Sequence, residues 1–265
     1  MFPVLFDFGR FELPTYGLLM AAAFLLGLRL LQALARRDGL DPDQVTSLWV
    51  WILLGGIVGA KLTLYLVEWR YYLRQPEALL SSWRAAGVYY GGFALAAIVG
   101  AIYVRRAGLP LGRTADACAP ALALGQSIGR IGCLAAGCCY GRTSEVPWAI
   151  TFEDPVAARI TGVPLGSARH PSQIYLSLNA LALCGVLLLL WTVSRRRGWN
   201  EGIVFWSYLG LYSLTRFWLE GFRDDPRGQI GSLATSQALA LVGIVLAIAG
   251  IIVLVRRRRG GTSPG

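Results

Sequence analysis

Apolar residues gather along the chain in seven long blocks, roughly Tyr16–Ala35, Val45–Trp69, Val88–Val104, Ala115–Ala135, Pro171–Ser194, Gly202–Glu220 and Ser232–Val255. A helix needs about 20 apolar residues to cross the hydrocarbon of a bilayer, where every backbone N–H and C=O must be paired internally. The pattern therefore predicts an all-α integral membrane protein of about seven transmembrane helices. Arginine clusters end or flank alternate blocks: Arg36 and Arg37; Arg105, Arg106 and Arg113; Arg195 to Arg197; and Arg256 to Arg259. An excess of basic residues marks the cytoplasmic side. Placing all four clusters there puts the N-terminus outside, the C-terminus in the cytoplasm and the loop region of about residues 135–170 outside. Met1 to Pro14 carries Asp7, Arg10 and Glu12 in place of a basic start and a cleavage site, so it is expected to lie as an amphipathic stretch on the outer interface. There is no internal repeat. The chain is expected to be a single membrane domain, 1–265, with a disordered tail at about 260–265.

Composition agrees with this class. The 265 residues are 55% hydrophobic and 15% charged, with a mean hydropathy of +0.53, too apolar for a soluble domain of this size. A net charge of +10 would suggest nucleic acid in a soluble protein. Here the basic residues flank the spans, so the charge reads as topology and nucleic acid is excluded as a partner. Five cysteines, Cys118, Cys133, Cys138, Cys139 and Cys184, do not form a disulfide framework. Cys118 and Cys184 sit inside apolar blocks as small core residues.

Chemistry is sought where the apolar pattern breaks. Ionisable residues within spans are costly and mark candidate sites; they are Arg29, Lys61, Glu68, Asp116, Arg130, Arg216 and Glu220. Arg29 can snorkel to the cytoplasmic interface. Lys61 follows Gly55-Gly56-Ile57-Val58-Gly59, a stretch that suits close helix packing. Arg216 and Glu220 are four apart on one helical face, with Arg223 just beyond, and can either neutralise each other or form an anion site.

The densest break is the glycine-rich run from Gly125 to Arg142, which holds Arg130, Cys133, Cys138, Cys139, Gly141 and Arg142. A second, Arg169-His170-Pro171-Ser172-Gln173-Ile174-Tyr175, opens the fifth block with a proline suited to a first helical turn and amides suited to an anion. A third, Tyr89-Tyr90-Gly91-Gly92, is either an interfacial aromatic belt or part of a site. Three readings compete. The arginines could hold a phospholipid headgroup while groups of the glycine-rich loop activate a nucleophile. Alternatively, Cys133, Cys138 and Cys139 could form a thiol-redox centre, or join His170 in a Cys₃His zinc set. The lack of a C-x-x-C pair weighs against redox. Adjacency of Cys138 and Cys139 weighs against zinc, because neighbours rarely aim both sulfurs at one centre. No metal and no cofactor are expected.

These motifs resemble a known family. Gly129-Arg130-Ile131-Gly132 followed by Ala136-Gly137-x-x-Tyr140-Gly141-Arg142 is similar to the prolipoprotein diacylglyceryl transferase signature G-R-x-G-N-x-x-N-G-E-x-x-G. Arg169 to Tyr175 resembles its R-H-P-S-Q-L-Y, and Tyr16-Gly17-Leu18, Asp116 and Arg216-x-x-x-Glu220-x-x-Arg223 agree further. The resemblance implies a multi-pass enzyme of the bacterial cytoplasmic (inner) membrane whose active site faces the extracytoplasmic side. Such an enzyme moves the diacylglyceryl group of phosphatidylglycerol onto the lipobox cysteine of a secreted preprotein and releases glycerol phosphate. Carried over by position, Arg130 and Arg216 would neutralise the phosphate, Glu220 would orient Arg216, Tyr16 would line the lipid pocket and Gly141 would admit the substrate. Tyr90, Cys138 and Cys139 join the two arginines as catalytic candidates. Gly91, Gly92, Asp116, Cys133, Arg142, His170, Gln173 and Arg223 join Tyr16, Gly141 and Glu220 as substrate-binding candidates.

The chain departs from that pattern. Tyr90 stands where the family has histidine, Cys133 where it has asparagine, Ala136-Gly137-Cys138 where it has Asn-Gly-Glu, and Leu176 where it has glutamate. The departures leave open a cysteine-dependent acyl transfer, since attack of an enzyme thiol on an acyl carbonyl gives a labile thioester. The orientation is testable with single cysteines introduced into a chain whose own cysteines are replaced. Positions 36, 105, 196 and 257 should be protected from an impermeant thiol reagent in intact cells, and positions 144 and 225 should react. Protection at 144 would reverse the orientation.

Overall fold

The computed structural model describes residues 4–7, 12–78, 87–225 and 228–260. Residues 261–265 of the expected tail, and Arg10 of the N-terminal stretch, lie outside the described residues. Each of the seven apolar blocks is helical: α1 (Thr15–Arg37), α2 (Pro42–Val67), α4 (Tyr89–Arg106), α5 (Leu111–Ala136), α7 (Ser172–Arg196), α8 (Ile203–Leu219) and α9 (Thr235–Gly260). Two short helices, α3 (Trp69–Arg74) and α6 (Pro155–Thr161), lie between them. Among the described residues, α1, α2, α7 and the Thr235–Arg256 part of α9 are long and apolar enough to cross a membrane. The other three are shorter or diluted by polar residues: α8 has 17 residues, and α5 carries Arg113, Asp116, Gln126 and Arg130. Exposure is inverted relative to a water-soluble fold. Leu25, Leu66, Leu189 and Val245 are exposed, while Asp116, Gln173 and Ser194 are buried, as expected of helices that turn their apolar sides to lipid.

The strictly all-α expectation needs one correction. Three short antiparallel pairs occur: β1 (Val4–Asp7) with β2 (Glu12–Pro14), β3 (Ile150–Thr151) with β4 (Ala168–Arg169), and β5 (Gln229–Ile230) with β6 (Leu233–Ala234). Strands of two to four residues are too short to register in hydropathy. The first of them pairs Val4–Asp7 with Glu12–Pro14 within the expected N-terminal stretch.

The described residues form two compact units, residues 32–114 and residues 1–31 with 115–265. In the first, α2 and α4 cross closely. Gly59 leaves no room for a Cβ against Gly91 O and Leu95, Gly91 none against Thr63, and Gly92 none against Gly56 O. The Val88 N–H reaches across to Ala60 O at 3.0 Å. The Gly55–Gly59 stretch is thus a helix-packing surface.

In the second unit α5 is buried over much of its length, with Ala117, Ala119, Ala121 and Ala123 fully buried. Its glycines form a stripe toward α1: a Cβ at Gly125 would stand 3.4 Å from Ala23 O, at Gly129 3.3 Å from Met20 Sδ, and at Gly132 3.2 Å from Tyr16 Cδ2. Near the other end of α5, Asp116 accepts hydrogen bonds from the Gly202 and Phe205 amides, each at 2.9 Å, and pairs with Arg195 at 3.3 Å. Its carboxylate serves as the N-terminal cap of α8, supplied from another helix. Asp116→Ala should therefore remove roughly 0.5–2 kcal/mol of capping energy and lower the unfolding midpoint in detergent by a few degrees. An unchanged midpoint would mean that the cap is replaceable.

Candidate active site

The end of α5 explains how the cysteines meet. Gly137 has φ +78°, its N–H bonds to Leu134 O at 3.2 Å, and the Cys138 N–H bonds to Cys133 O at 3.1 Å. This is the Schellman arrangement, which places the second residue past the helix against the residue three before its cap. Here those two residues are Cys138 and Cys133. Cys139 then takes φ +63° and is the one non-glycine residue with positive φ among those described, which swings its side chain back to the others. The three Sγ atoms lie within 4.8 Å of one another. The expectation that adjacency would keep Cys138 and Cys139 from a common centre is thus corrected, and the left-handed backbone at Cys139 is the reason. No disulfide joins any of the five cysteines.

Arg130 Nη1 donates to Cys139 Sγ at 3.8 Å. Hydrogen bonds from Cys133 and Cys138, followed by the charges of Arg223 and Arg130, hold the Cys139 thiol below its ordinary range. Hydrogen bonding to Cys133 and Cys139, together with burial, pushes Cys138 up. Within the cluster, Cys139 is therefore the sulfur that carries negative charge most readily.

The second motif fastens this loop from below. Gln173, fully buried at the start of α7, donates to Cys138 O at 2.9 Å, and Ser172 Oγ donates to Cys139 O at 2.7 Å. Gly141 packs against the His170 and Phe222 carbonyls so closely that a Cβ would collide with His170 O. The Arg142 N–H bonds to Phe222 O and the His170 N–H to Arg142 O, both at 2.9 Å. Close approach at Gly141 thus joins three chain segments. His170 Nδ1 lies 3.1 Å from the Tyr175 hydroxyl, and its ring meets Phe222 edge-on.

Arg130 on α5 and Arg216 on α8 line one narrow cleft with Gln126, Leu176, Asn179, Ala180 and Tyr212. Arg216 is buried and ion-paired with Glu220, so the guanidinium is held at the wall by a carboxylate one helical turn away. Arg223 is held by both oxygens of Asp225, at 3.0 and 3.1 Å. It lines a wider cleft with Arg142, Glu220 and Gln237. Glu220 borders this cleft while holding a residue of the first.

The structure therefore brings together Arg130, Cys133, Cys138, Cys139, Gly141, Arg142, His170, Gln173, Arg216, Glu220 and Arg223, and Tyr16 packs on Gly132 beside them. Asp116 stands apart: it lies fourteen positions before Arg130 on the same helix, about 20 Å along the axis, and its carboxylate is committed to α8. Tyr90, Gly91 and Gly92 belong to the other compact unit, where the two glycines serve the α2–α4 crossing.

Four contributors lie outside the site residues named from the sequence, Arg169 having entered only as part of its motif. Gln126 and Tyr212 each precede a cleft arginine by four residues and so share its helical face. Asn179 is a polar residue inside an apolar block and donates to Thr215 Oγ1 at 3.0 Å. Arg169, also buried, binds Gly141 O and Asp224 at 3.0 Å and stacks over Tyr140 at 5.2 Å, organising the loop from behind.

Comparison with known proteins identifies the family. The family model described as prolipoprotein diacylglyceryl transferase matches residues 3–253. The phosphatidylglycerol–prolipoprotein diacylglyceryl transferase of Trichormus variabilis is 32% identical over 259 residues, 97% of this chain and 91% of that protein. The protein of the same name from Geobacter sulfurreducens is 35% identical over 276 residues, 98% of this chain and 97% of its own length. That from Clostridium tetani is 32% identical over 248 residues, 94% and 96%. With residues 3–253 matched by the family model and nearly its whole length covered by relatives at 32–35% identity, the chain belongs to the prolipoprotein diacylglyceryl transferase family.

Proposed function

We propose that this chain transfers the diacylglyceryl group of phosphatidylglycerol to the thiol of a lipobox cysteine in a secreted prolipoprotein, releasing glycerol phosphate. The observation that carries this reading is the cleft lined jointly by Arg130 and Arg216. In the transfer, the acceptor sulfur bonds to the glycerol carbon while the C–O bond to phosphate breaks, and the electron pair leaves on the phosphate ester oxygen. Negative charge grows on that phosphate as the bond breaks, and two guanidiniums fixed in a secluded cleft stabilise it most at that moment. Glu220 orients Arg216, and Tyr16 on α1 borders the acyl-chain side.

The same reading places the protein in the bacterial inner membrane with seven crossings, the N-terminus outside, and the cleft opening toward the extracytoplasmic side, where secreted acceptors arrive. The arginine clusters support that orientation. The departures from the family pattern at Tyr90, Cys133, Ala136, Cys138 and Leu176 leave both arginines in place, and Leu176 lines the cleft with them. Those at Cys133 and Cys138 bear on how the acceptor thiol is deprotonated and presented.

Two measurements test the proposal. Arg130→Gln and Arg216→Gln should each lower turnover of labelled phosphatidylglycerol with a lipobox peptide by about 100- to 1,000-fold while the protein stays folded in detergent. Lysine at either position should rescue poorly, because a point charge does not reproduce the planar fork, and Arg196→Gln should be tolerated. Near-normal turnover in both glutamine variants would remove the phosphate clamp from the mechanism.

Product analysis by mass spectrometry is the second test. It should find glycerol phosphate and a thioether-linked peptide. Lysophospholipid together with a hydroxylamine-labile acyl group on the enzyme would replace this reading with acyl transfer.

A further inference from the structure

We infer that Cys133, Cys138 and Cys139 form a three-coordinate thiolate site for a soft metal ion, Cu(I) being the ion of matching softness and geometry. Three sulfurs converge from a seven-residue span because two backbone devices aim them. The Schellman end of α5 sets Cys138 over Cys133, and the left-handed backbone of Cys139 turns the third sulfur inward. An ion with metal–sulfur bonds of about 2.3 Å holds three sulfurs about 4 Å apart in a plane. The observed sulfurs, all within 4.8 Å of one another, need only a small contraction.

The turn that presents them is tied down by the buried Ser172 and Gln173 side chains through the Cys139 and Cys138 carbonyls. The geometry therefore does not depend on the metal to assemble it. Cys138 and Cys139 are partly exposed, which gives an ion a way in.

The ligand set decides which metal fits. Thiolates select soft ions such as Cu(I) over hard oxygen-seeking ones. A structural zinc site needs four donors. Among the described residues, the group close enough to share an ion consists of these three cysteines alone, and His170 is directed to Tyr175. A monovalent ion with three thiolates retains two negative charges. The Arg130 guanidinium, 3.8 Å from Cys139 Sγ, lies against that negative charge, while Arg223 is held by Asp225. Binding forms three metal–sulfur bonds and releases the thiol protons to solvent, with no change in oxidation state of the sulfur or the metal.

The test uses the full chain in detergent, reduced and anaerobic, titrated with Cu(I) against a chromogenic Cu(I) chelator. One equivalent should be withheld from the chelator, with thiolate-to-copper charge-transfer absorption and an all-sulfur, three-coordinate shell in X-ray absorption. Cys133→Ser, Cys138→Ser and Cys139→Ser should each lose that equivalent, and Cys118→Ser and Cys184→Ser should keep it. In the unmodified chain, bound Cu(I) should shield Cys133, Cys138 and Cys139, but not Cys118 or Cys184, from alkylation mapped by mass. This readout does not depend on any variant folding. The inference is overturned if all three serine variants retain the ion, if the copper shell contains nitrogen, or if the chain holds Zn(II) in preference to Cu(I).

Discussion

Two side-chain hydrogen bonds hold the candidate site together: Gln173 to the Cys138 carbonyl and Ser172 to the Cys139 carbonyl. A loop that leaves a helix among packed neighbours carries carbonyls that need partners. The first turn of α7 satisfies two of them with buried donors, and in doing so locks the end of α5 to the start of α7. Everything with chemical character in this region then follows in register. Gly141 is pressed against His170 and Phe222, Arg142 bonds to the Phe222 and Arg223 carbonyls, and Arg169 reaches Gly141 and Asp224. The two sequence motifs, separated by nearly thirty residues, are the two halves of one joint.

The helix that feeds this joint has a divided role. One stripe of α5, Gly125, Gly129 and Gly132, accepts α1 in close contact. On the same helix, Gln126 and Arg130 line the cleft. A bilayer provides little hydrophobic drive for helices to associate, so small residues and shape complementarity must do it. That division lets a basic side chain sit inside the bundle without a bulky neighbour prising the helices apart. Arg216 is tolerated for a different reason: Glu220 neutralises it locally, as an unpaired buried guanidinium would be costly.

Helix positions were legible because hydropathy is a strong, long-range signal: the predicted Tyr16–Ala35 and Pro171–Ser194 blocks became Thr15–Arg37 and Ser172–Arg196. The arginine cleft was legible in part, because ionisable residues in apolar blocks stand out. The hairpins were not, since two-residue strands leave no periodicity. Asp116 was misplaced because an acidic residue in a span looks the same whether it binds a ligand or caps a neighbouring helix; only its partners, Gly202 and Phe205, decide. The convergence of the cysteines was considered in the sequence and discounted on the adjacency of Cys138 and Cys139, though the spacing supports it. Cys133-x₃-Gly137-Cys138 is the spacing of a helix end with glycine just past its cap, and that geometry sets the outer two residues side by side. What no pattern disclosed is the positive φ of Cys139, which depends on the carbonyl anchors supplied from α7.

That backbone conformation carries an evolutionary consequence. A non-glycine residue in the left-handed region costs of order 1 kcal/mol or more relative to glycine, and asparagine is the side chain that otherwise tolerates it best. Selection for stability alone would install glycine or asparagine at position 139, and stabilised variants of this protein obtained by unguided screening should accumulate there. A sulfur at position 139 therefore stands where the backbone alone would favour glycine or asparagine.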